Sequence, residues 1–459
     1  MNATVPAAGP PRDAVLPQPV ERVLDNGLRV VAFTQRALPL VAAQLIVRCG
    51  GAAETEGEAG LSAMVSALLT AGTARASASE IATEADALGA RLDAASGYDA
   101  SLVSVSATTP AFPQAFALLS EIVRTPAFAD AEIERVRAKS LSDLTLTYAN
   151  PSALARLAAQ RVAYGDAPYG HPLAGTPRTL AGLTRARVEW FHERFYRPDD
   201  AVLVIGGDLD VDEAFALAAR VLGDWRAPAA PMPPRPAGTI PAPRARTVII
   251  DKPDAGRTCL VAGRVAIERA SPDFDVAVIA SAVLNGYSGR LNQEIRVKRG
   301  LSYGAGASIA ARRMPGIFVA STLVDHARAA EAAEVTLTTI ASLADAPATA
   351  DDLATRKAVV LGGYHRGIET VEGIAAAIAE LVLYETPLAE LAAFPKRVQA
   401  VQPAEVADFA RRVLIPDDFL VLCGDASRFG ADIARARGAV ETIPAAALDL
   451  SRPDLMEPS

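Results

Sequence analysis

The sequence predicts an α+β protein built from two homologous domains, each an antiparallel sheet with helices packed on one face. Three observations carry this. The chain is 459 residues long, more than one ordinary domain accommodates. A proline-rich stretch falls at its middle. The stretches on either side of it repeat one another.

The stretch is Arg226 to Arg246, with seven prolines. Proline removes backbone donors and fixes φ, so this segment is expected to be a semi-rigid spacer. On its N-terminal side, Pro198-Asp199-Asp200 precedes an apolar run, Ala201 to Ile205, and then Gly-Gly-Asp. The same turn recurs on the C-terminal side as Pro416-Asp417-Asp418, before Phe419 to Leu422 and Cys-Gly-Asp. A turn, a strand and a Gly-Asp exit repeated at one offset indicate a duplicated unit. The expected layout is a flexible segment over 1–18, a first domain over 19–225, the linker over 226–246 and a second domain over 247–445.

Within the first half, Leu28 to Phe33 and Ala42 to Arg48 read as strands. Gly60 to Thr70 has helical spacing, and Ser79 to Ala87 reads as a second helix opened by an acidic turn. Leu102 to Ala107 alternates like a half-buried strand, and Phe112 to Val123 returns to helical spacing. Consecutive antiparallel strands with helices on one face make an α+β domain.

Composition narrows the function classes. Half the residues are apolar, a fifth are charged and the formal charge is −8. No Lys/Arg-rich run suggests nucleic acid, and no uninterrupted apolar stretch of membrane-spanning length occurs. The stretch from Met1 to Pro19 lacks a basic segment followed by an apolar core, so no signal peptide is expected. The default compartment is the cytoplasm, or the periplasm if a signal peptide has been removed. Cys49, Cys259 and Cys423 lie far apart, and each reads as a lone buried thiol. There is no Gly-x-Ser-x-Gly elbow.

Two segments carry the chemistry. The first runs Gly60-Leu-Ser-Ala-Met-Val-Ser-Ala-Leu-Leu-Thr-Ala-Gly-Thr73. The second runs Ser288-Gly-Arg-Leu-Asn-Gln-Glu-Ile-Arg-Val-Lys-Arg-Gly-Leu-Ser-Tyr303. Lys298 and Arg299 suit a helix C-terminus, and Gly300 suits the residue that reverses the chain. Arg296 then falls in the last helical turn, with Tyr303 returning beside it at the start of a strand.

Together these segments resemble the pitrilysin/insulinase family of zinc peptidases, over most of residues 20 to 430. The family's first helix carries His-x-x-Glu-His. In that frame Ala63 and Ala67 stand in place of the two histidines, and Ser66 in place of the glutamate that activates water. The third ligand of active members is a glutamate further along the chain, and at the family's spacing from Ala67 the matching position is Asp143. One carboxylate does not make a zinc site, so no metal or other cofactor is expected in this chain. Asp93 also departs from the family, where an asparagine is typical. His171, His192, His326 and His365 do not restore the motif and are expected at surface or capping positions. His192-Glu193 begins a His-Glu-x-x-His pattern that ends on Tyr196.

The second signature is retained, because Arg296 and Tyr303 match the family's Arg/Tyr pair. Ala282 to Gly289 holds only two glycines, unlike the long glycine-rich loop of the non-catalytic subunit of mitochondrial processing peptidase. The resemblance is to the zinc-free, Arg/Tyr-bearing half of a bacterial heterodimeric peptidase. It implies a homologous partner subunit that holds zinc through His-x-x-Glu-His, and a peptide or unfolded polypeptide as substrate. Arg296 and Tyr303 would serve substrate binding and transition-state stabilisation at the partner's zinc. The alternative is a non-enzymatic scaffold or peptide-binding subunit in which that pair is a relic.

Overall fold

The structure is a computed structural model, described over residues 16–55, 57–234, 240, 245–415 and 419–456. The repeated turn at Pro416-Asp417-Asp418, most of the expected flexible segment and part of the proline-rich linker lie outside the described residues.

Six strands form the first sheet: β1 (Val20–Val23), β2 (Arg29–Thr34), β3 (Leu40–Val47), β4 (Arg91–Ser96), β5 (Ser101–Thr108) and β6 (Ala201–Gly207), in the order β1-β2-β6-β3-β5-β4. Six more form the second: β7 (Arg246–Asp251), β8 (Thr258–Val265), β9 (Ala305–Ala310), β10 (Ile317–Val324), β11 (Phe419–Gly424) and β12 (Glu441–Pro444), in the order β12-β7-β11-β8-β10-β9. The core order is the same in both. β6 begins at Ala201 and β11 at Phe419, the same offset that separates the two Pro-Asp-Asp turns in sequence. β7 begins at Arg246, the last residue of the expected linker. Beyond residue 445 the chain still packs, with Leu450 and Leu455 buried.

The sheets are mixed rather than antiparallel. β6 runs parallel to β2 and antiparallel to β3, and β11 stands in the same relation to β7 and β8. β12 is also parallel to β7. Each central strand returns from a long excursion through helices, which is what a parallel pairing requires. Every residue of β6 and β11 is buried. Strands covered on both faces read as continuous apolar runs, and these two do.

Both faces of each sheet are covered, and the cover is exchanged between halves. On the first sheet, Leu45, Val103, Val105 and Leu203 pack against the first half's own helices, including Leu61–Leu69 and Phe112–Arg124. The opposite face, with Val31, Phe33, Ile46, Val202 and Val204, packs against Ile374, Ile378 and Val382. These three belong to helix Val371–Leu383 of the second half. Reciprocally, Val248, Ile250, Val261 and Val421 of the second sheet pack against Leu154, Ala155 and Ala158 of helix Pro151–Tyr164. The two crossing helices start at Pro151 and Val371, close to the offset of the central strands, and are counterparts in the duplication. Helices on one face, as the sequence suggests, therefore describes only what each half supplies to itself.

The hairpin tips meet where the halves join. Tyr169 donates to Asp99 Oδ1 at 2.5 Å and accepts from the Met314 backbone N–H at 3.2 Å. The Arg312 guanidinium lies over the rings of Tyr98 and Tyr169.

Two expectations from the sequence need correcting here. All three cysteines are free and buried, as expected, but Cys259 and Cys423 are far apart only in sequence, being direct register partners on β8 and β11. Burial pushes the Cys423 thiol up to about 12, so it stays protonated. His192 and His326 are core residues, 9% and 3% exposed, rather than surface ones, although His192 does cap a helix end at the Val123 carbonyl in the last turn of Phe112–Arg124. No helix among the described residues is long and apolar enough to cross a membrane.

Candidate functional site

Helix Leu61–Leu69 lies beside β4, the edge strand of the first sheet. Its start is built without a capping side chain of its own. Gly60 adopts φ +95°, and a Cβ there would come within 2.9 Å of the Gly175 Cα. The N–H groups of Gly60 and Ser62 are satisfied by Glu54, whose carboxylate accepts from Gly60 N at 3.1 Å and from Ser62 N at 2.7 Å. The Glu54 side chain is fully buried, with His171 Nε2 at 2.9 Å. Nothing in the sequence marks this pair, because neither residue falls in a recognisable spacing.

Leu61, Met64, Val65, Leu68 and Leu69 fill the core side of the helix. Ala63 is half-buried and Ala67 exposed, one turn apart on the outer side. Neither carries a donor atom. Ser66 turns inward, 1% exposed, with its hydroxyl 3.4 Å from that of Tyr196. Asp143 is exposed and ion-paired to Lys139 at 2.7 Å, one turn away on the same helix. A zinc site needs three or four nitrogen, oxygen or sulfur ligands converging on one point. These four positions offer one outward carboxylate and one buried hydroxyl, so they do not fit the ion. No group of three or more His, Cys, Asp or Glu suited to a metal occurs among the described residues.

The buried surroundings of this helix explain the broken His-Glu-x-x-His pattern. Tyr196 stacks on His192 at 4.7 Å, and His192 Nε2 lies 2.7 Å from the Val123 carbonyl. Burial pulls the His192 pKa down to about 4, only partly opposed by that bond. Its folded-state value is therefore below its unfolded one, and the fold binds fewer protons between the two. We expect stability to fall as pH drops from about 6.5 towards 4, by up to about 3 kcal/mol. Denaturant titrations at a series of pH values check this, and His192→Gln should flatten the slope.

The second segment lies beside β9, the edge strand of the second sheet. Helix Arg290–Asn292 continues into a π-helical turn over Gln293–Val297, with Lys298 N bonded to Gln293 O at 2.9 Å. Such single π turns occur often at functional sites. Gly300 takes φ +59°, and Leu301 N closes the turn on Ile295 O at 2.9 Å. Glu294 is shared by Lys298 and Arg299, both at 2.5 Å, and these bonds hold its carboxyl below the usual range.

Arg296 lies in the π turn, half-buried, with its guanidinium 4.9 Å from the centre of the Tyr287 ring. Tyr303 is 80% exposed. It does not open the strand, as the sequence suggests. It sits in a bend two residues before β9, where Ser302 Oγ donates to Leu323 O at 2.7 Å and accepts from Gly304 N. Arg257 lies 5.4 Å from the centre of the Tyr303 ring. Arg296 and Tyr303 thus stand on one short, chain-reversing segment, each beside a partner of the opposite type. Sequence reasoning does not pick out Tyr287 or Arg257. The only hint is a tyrosine set between Gly286 and Gly289.

Known proteins resemble this chain over most of its length. Residues 29–177 match the family model described as insulinase (peptidase family M16), and residues 182–360 match that of the peptidase M16 inactive domain. An uncharacterized zinc protease of Mycobacterium bovis is 25% identical over 446 residues, covering 96% of this chain and 98% of that protein. One from Rickettsia felis is 26% identical over 308 residues, covering 66% and 73%. The mitochondrial-processing peptidase subunit alpha of Solanum tuberosum is 27% identical over 201 residues, covering 44% and 39%. A crystal structure of a peptidase M16 inactive domain from Pseudomonas fluorescens superposes with a TM-score of 0.82 at 23% identity, over 88% of this chain and 98% of that one. A protease from Helicobacter pylori gives the same TM-score at 18% identity, over 89% and 100%. At those identities the solved structures speak to the fold.

Proposed function

We propose a function from one premise: the chain belongs to the insulinase (M16) peptidase family. It is the zinc-free subunit of a two-chain metallopeptidase. A homologous partner supplies the zinc-binding His-x-x-Glu-His, and this chain supplies Arg296 and Tyr303 to the partner's site. One observation carries the reading: the motif helix has lost every donor from its outer face, while the Arg296–Tyr303 segment remains built and presented. Ala63 and Ala67 hold nothing. Tyr303 offers its hydroxyl to solvent, and Arg296 makes no ion pair among the described residues.

In peptide hydrolysis negative charge builds on the carbonyl oxygen under attack. A guanidinium and a phenolic hydroxyl fixed where that charge develops stabilise the transition state more than the ground state. Both groups lie on the segment beside one edge of the sheet, Arg296 in the π turn and Tyr303 after the Gly300 reversal. Zinc chemistry belongs to the partner. The substrate is a peptide or unfolded segment that reaches both subunits at once.

The test is reconstitution. The chain alone should cleave no peptide, and a mixture with a zinc-binding homologue from the same source should cleave it. If the mixture is fully active when this chain carries both Arg296→Ala and Tyr303→Phe, the chain is a scaffold and the proposed roles fail.

Tyr287 gives a finer check. A cation–π contact at an exposed site is worth about 0.5–1 kcal/mol. Tyr287→Ala should therefore lower kcat of the pair about two- to fivefold, by loosening Arg296. Tyr287→Phe should keep the wild-type rate, and steady-state kinetics on both variants decides.

A further inference from the structure

Behind the segment that carries Arg296 lies a cavity of about 580 Å³, bounded by helices Ala329–Asp345 and Ala350–Gly367. Two arginines line it, each pinned along one edge. Arg290 Nη1 donates to the carbonyl and hydroxyl oxygens of Ser342 at 3.2 and 3.3 Å. Arg356 Nη2 donates to the corresponding oxygens of Ser288 at 2.6 and 3.0 Å. All four acceptors are neutral, and neither arginine makes an ion pair among the described residues.

Arg356 is only 8% exposed. A guanidinium removed from water without a counter-charge is costly, and the remaining donor edge of each arginine suits a carboxylate or phosphate. The carboxylates in the wall do not fill this role. Glu294 is already shared by Lys298 and Arg299, and Asp352 is exposed. Burial lowers the pKa of Arg290, and the charge of Asp352 opposes this. The hydroxyls of Thr338, Thr339 and Ser342 donate to carbonyls of their own helix, so they offer no free proton to a ligand. Beside the Gln293 amide and the Ser288 hydroxyl, the donors the cavity presents are cationic.

We propose that this cavity is a binding site for a small oxyanion, a carboxylate or phosphate group gripped by the free edges of Arg290 and Arg356 with Lys298 at the rim. The site is separate from the Arg296–Tyr303 surface. Arg290, Glu294 and Lys298 recur at four-residue spacing and share one face of the segment. Arg296 faces Tyr287 instead. The cavity volume is in the range of small-molecule sites.

Isothermal titration of the full chain alone, with pyrophosphate and separately with citrate, tests this without any partner or peptidase assay. Saturable one-to-one binding of at least one probe is expected, weakening as salt rises. Pyrophosphate alone would identify a phosphate ligand, and citrate alone a carboxylate. Arg290→Gln should weaken binding about tenfold, the scale of a lost charge-assisted hydrogen bond. The exposed Lys298→Gln should weaken it by a smaller factor and keeps the test valid if Arg290→Gln fails to fold. Arg296→Gln should leave it unchanged. The proposal is overturned if neither probe binds, if Lys298→Gln and any folded Arg290→Gln bind like wild type, or if Arg296→Gln is as damaging as they are.

Discussion

Arg296→Ala and Tyr303→Phe in this chain should each lower kcat of the reconstituted peptidase about 10²–10³-fold, the usual cost of one lost transition-state donor. KM should change far less, because neither group is asked to hold the uncharged carbonyl of the bound peptide. The double variant should fall short of the product of the two losses, since both donors serve one developing charge. The fold should not notice. Tyr303 is 80% exposed, and Arg296 touches a surface ring rather than the core. Unchanged thermal melting beside a collapsed kcat therefore distinguishes a chemical role from a structural one. A loss confined to KM would make the pair a substrate clamp.

Ile378→Ala should destabilise the whole chain by about 2–5 kcal/mol, and the first half should report it. Ile378 belongs to the second half in sequence, yet it is fully buried against Val31, Ile46, Val202 and Val204 of the first sheet. Both tryptophans of the chain, Trp190 and Trp225, are in the first half. Denaturant unfolding followed by tryptophan fluorescence should therefore shift its midpoint although the substitution lies far along the chain. Far-ultraviolet circular dichroism, which reads both halves, should shift with it, because each sheet is closed by a helix from the other half. A tryptophan transition that stays in place would mean the halves unfold independently.

Particular residues show how far the sequence can be read. Ala201 to Ile205 and Phe419 to Leu422 are legible as strands because burial on both faces leaves an uninterrupted apolar run. Their parallel pairing with β2 and β7 is not legible, since strand direction depends on where the long excursion returns. The exchange of helices Pro151–Tyr164 and Val371–Leu383 is equally hidden. An amphipathic helix announces that it has a buried face but not whose sheet covers it. At the site, Ala63 and Ala67 are readable because alanine has no ligand atom in any setting. Spacing puts Tyr303 at a strand start, whereas the Ser302 turn delays β9 by two residues. Tyr287 escapes notice because its importance comes from an Arg296 nine residues away in sequence and stacked against it in space. The histidines mislead for the opposite reason. His192 and His326 are satisfied by backbone carbonyls, which leave no mark in sequence.

The central claim is a division of labour in which the metal sits in one chain and two transition-state donors in the other. The most direct measurement is a zinc count, by elemental mass spectrometry, on this chain alone and on the purified pair, with peptide cleavage assayed on the same samples. The account predicts no stoichiometric zinc and no cleavage for the chain alone, and one zinc per pair with cleavage once the partner is present. Stoichiometric zinc in the isolated chain, or peptide cleavage by it, would contradict the account.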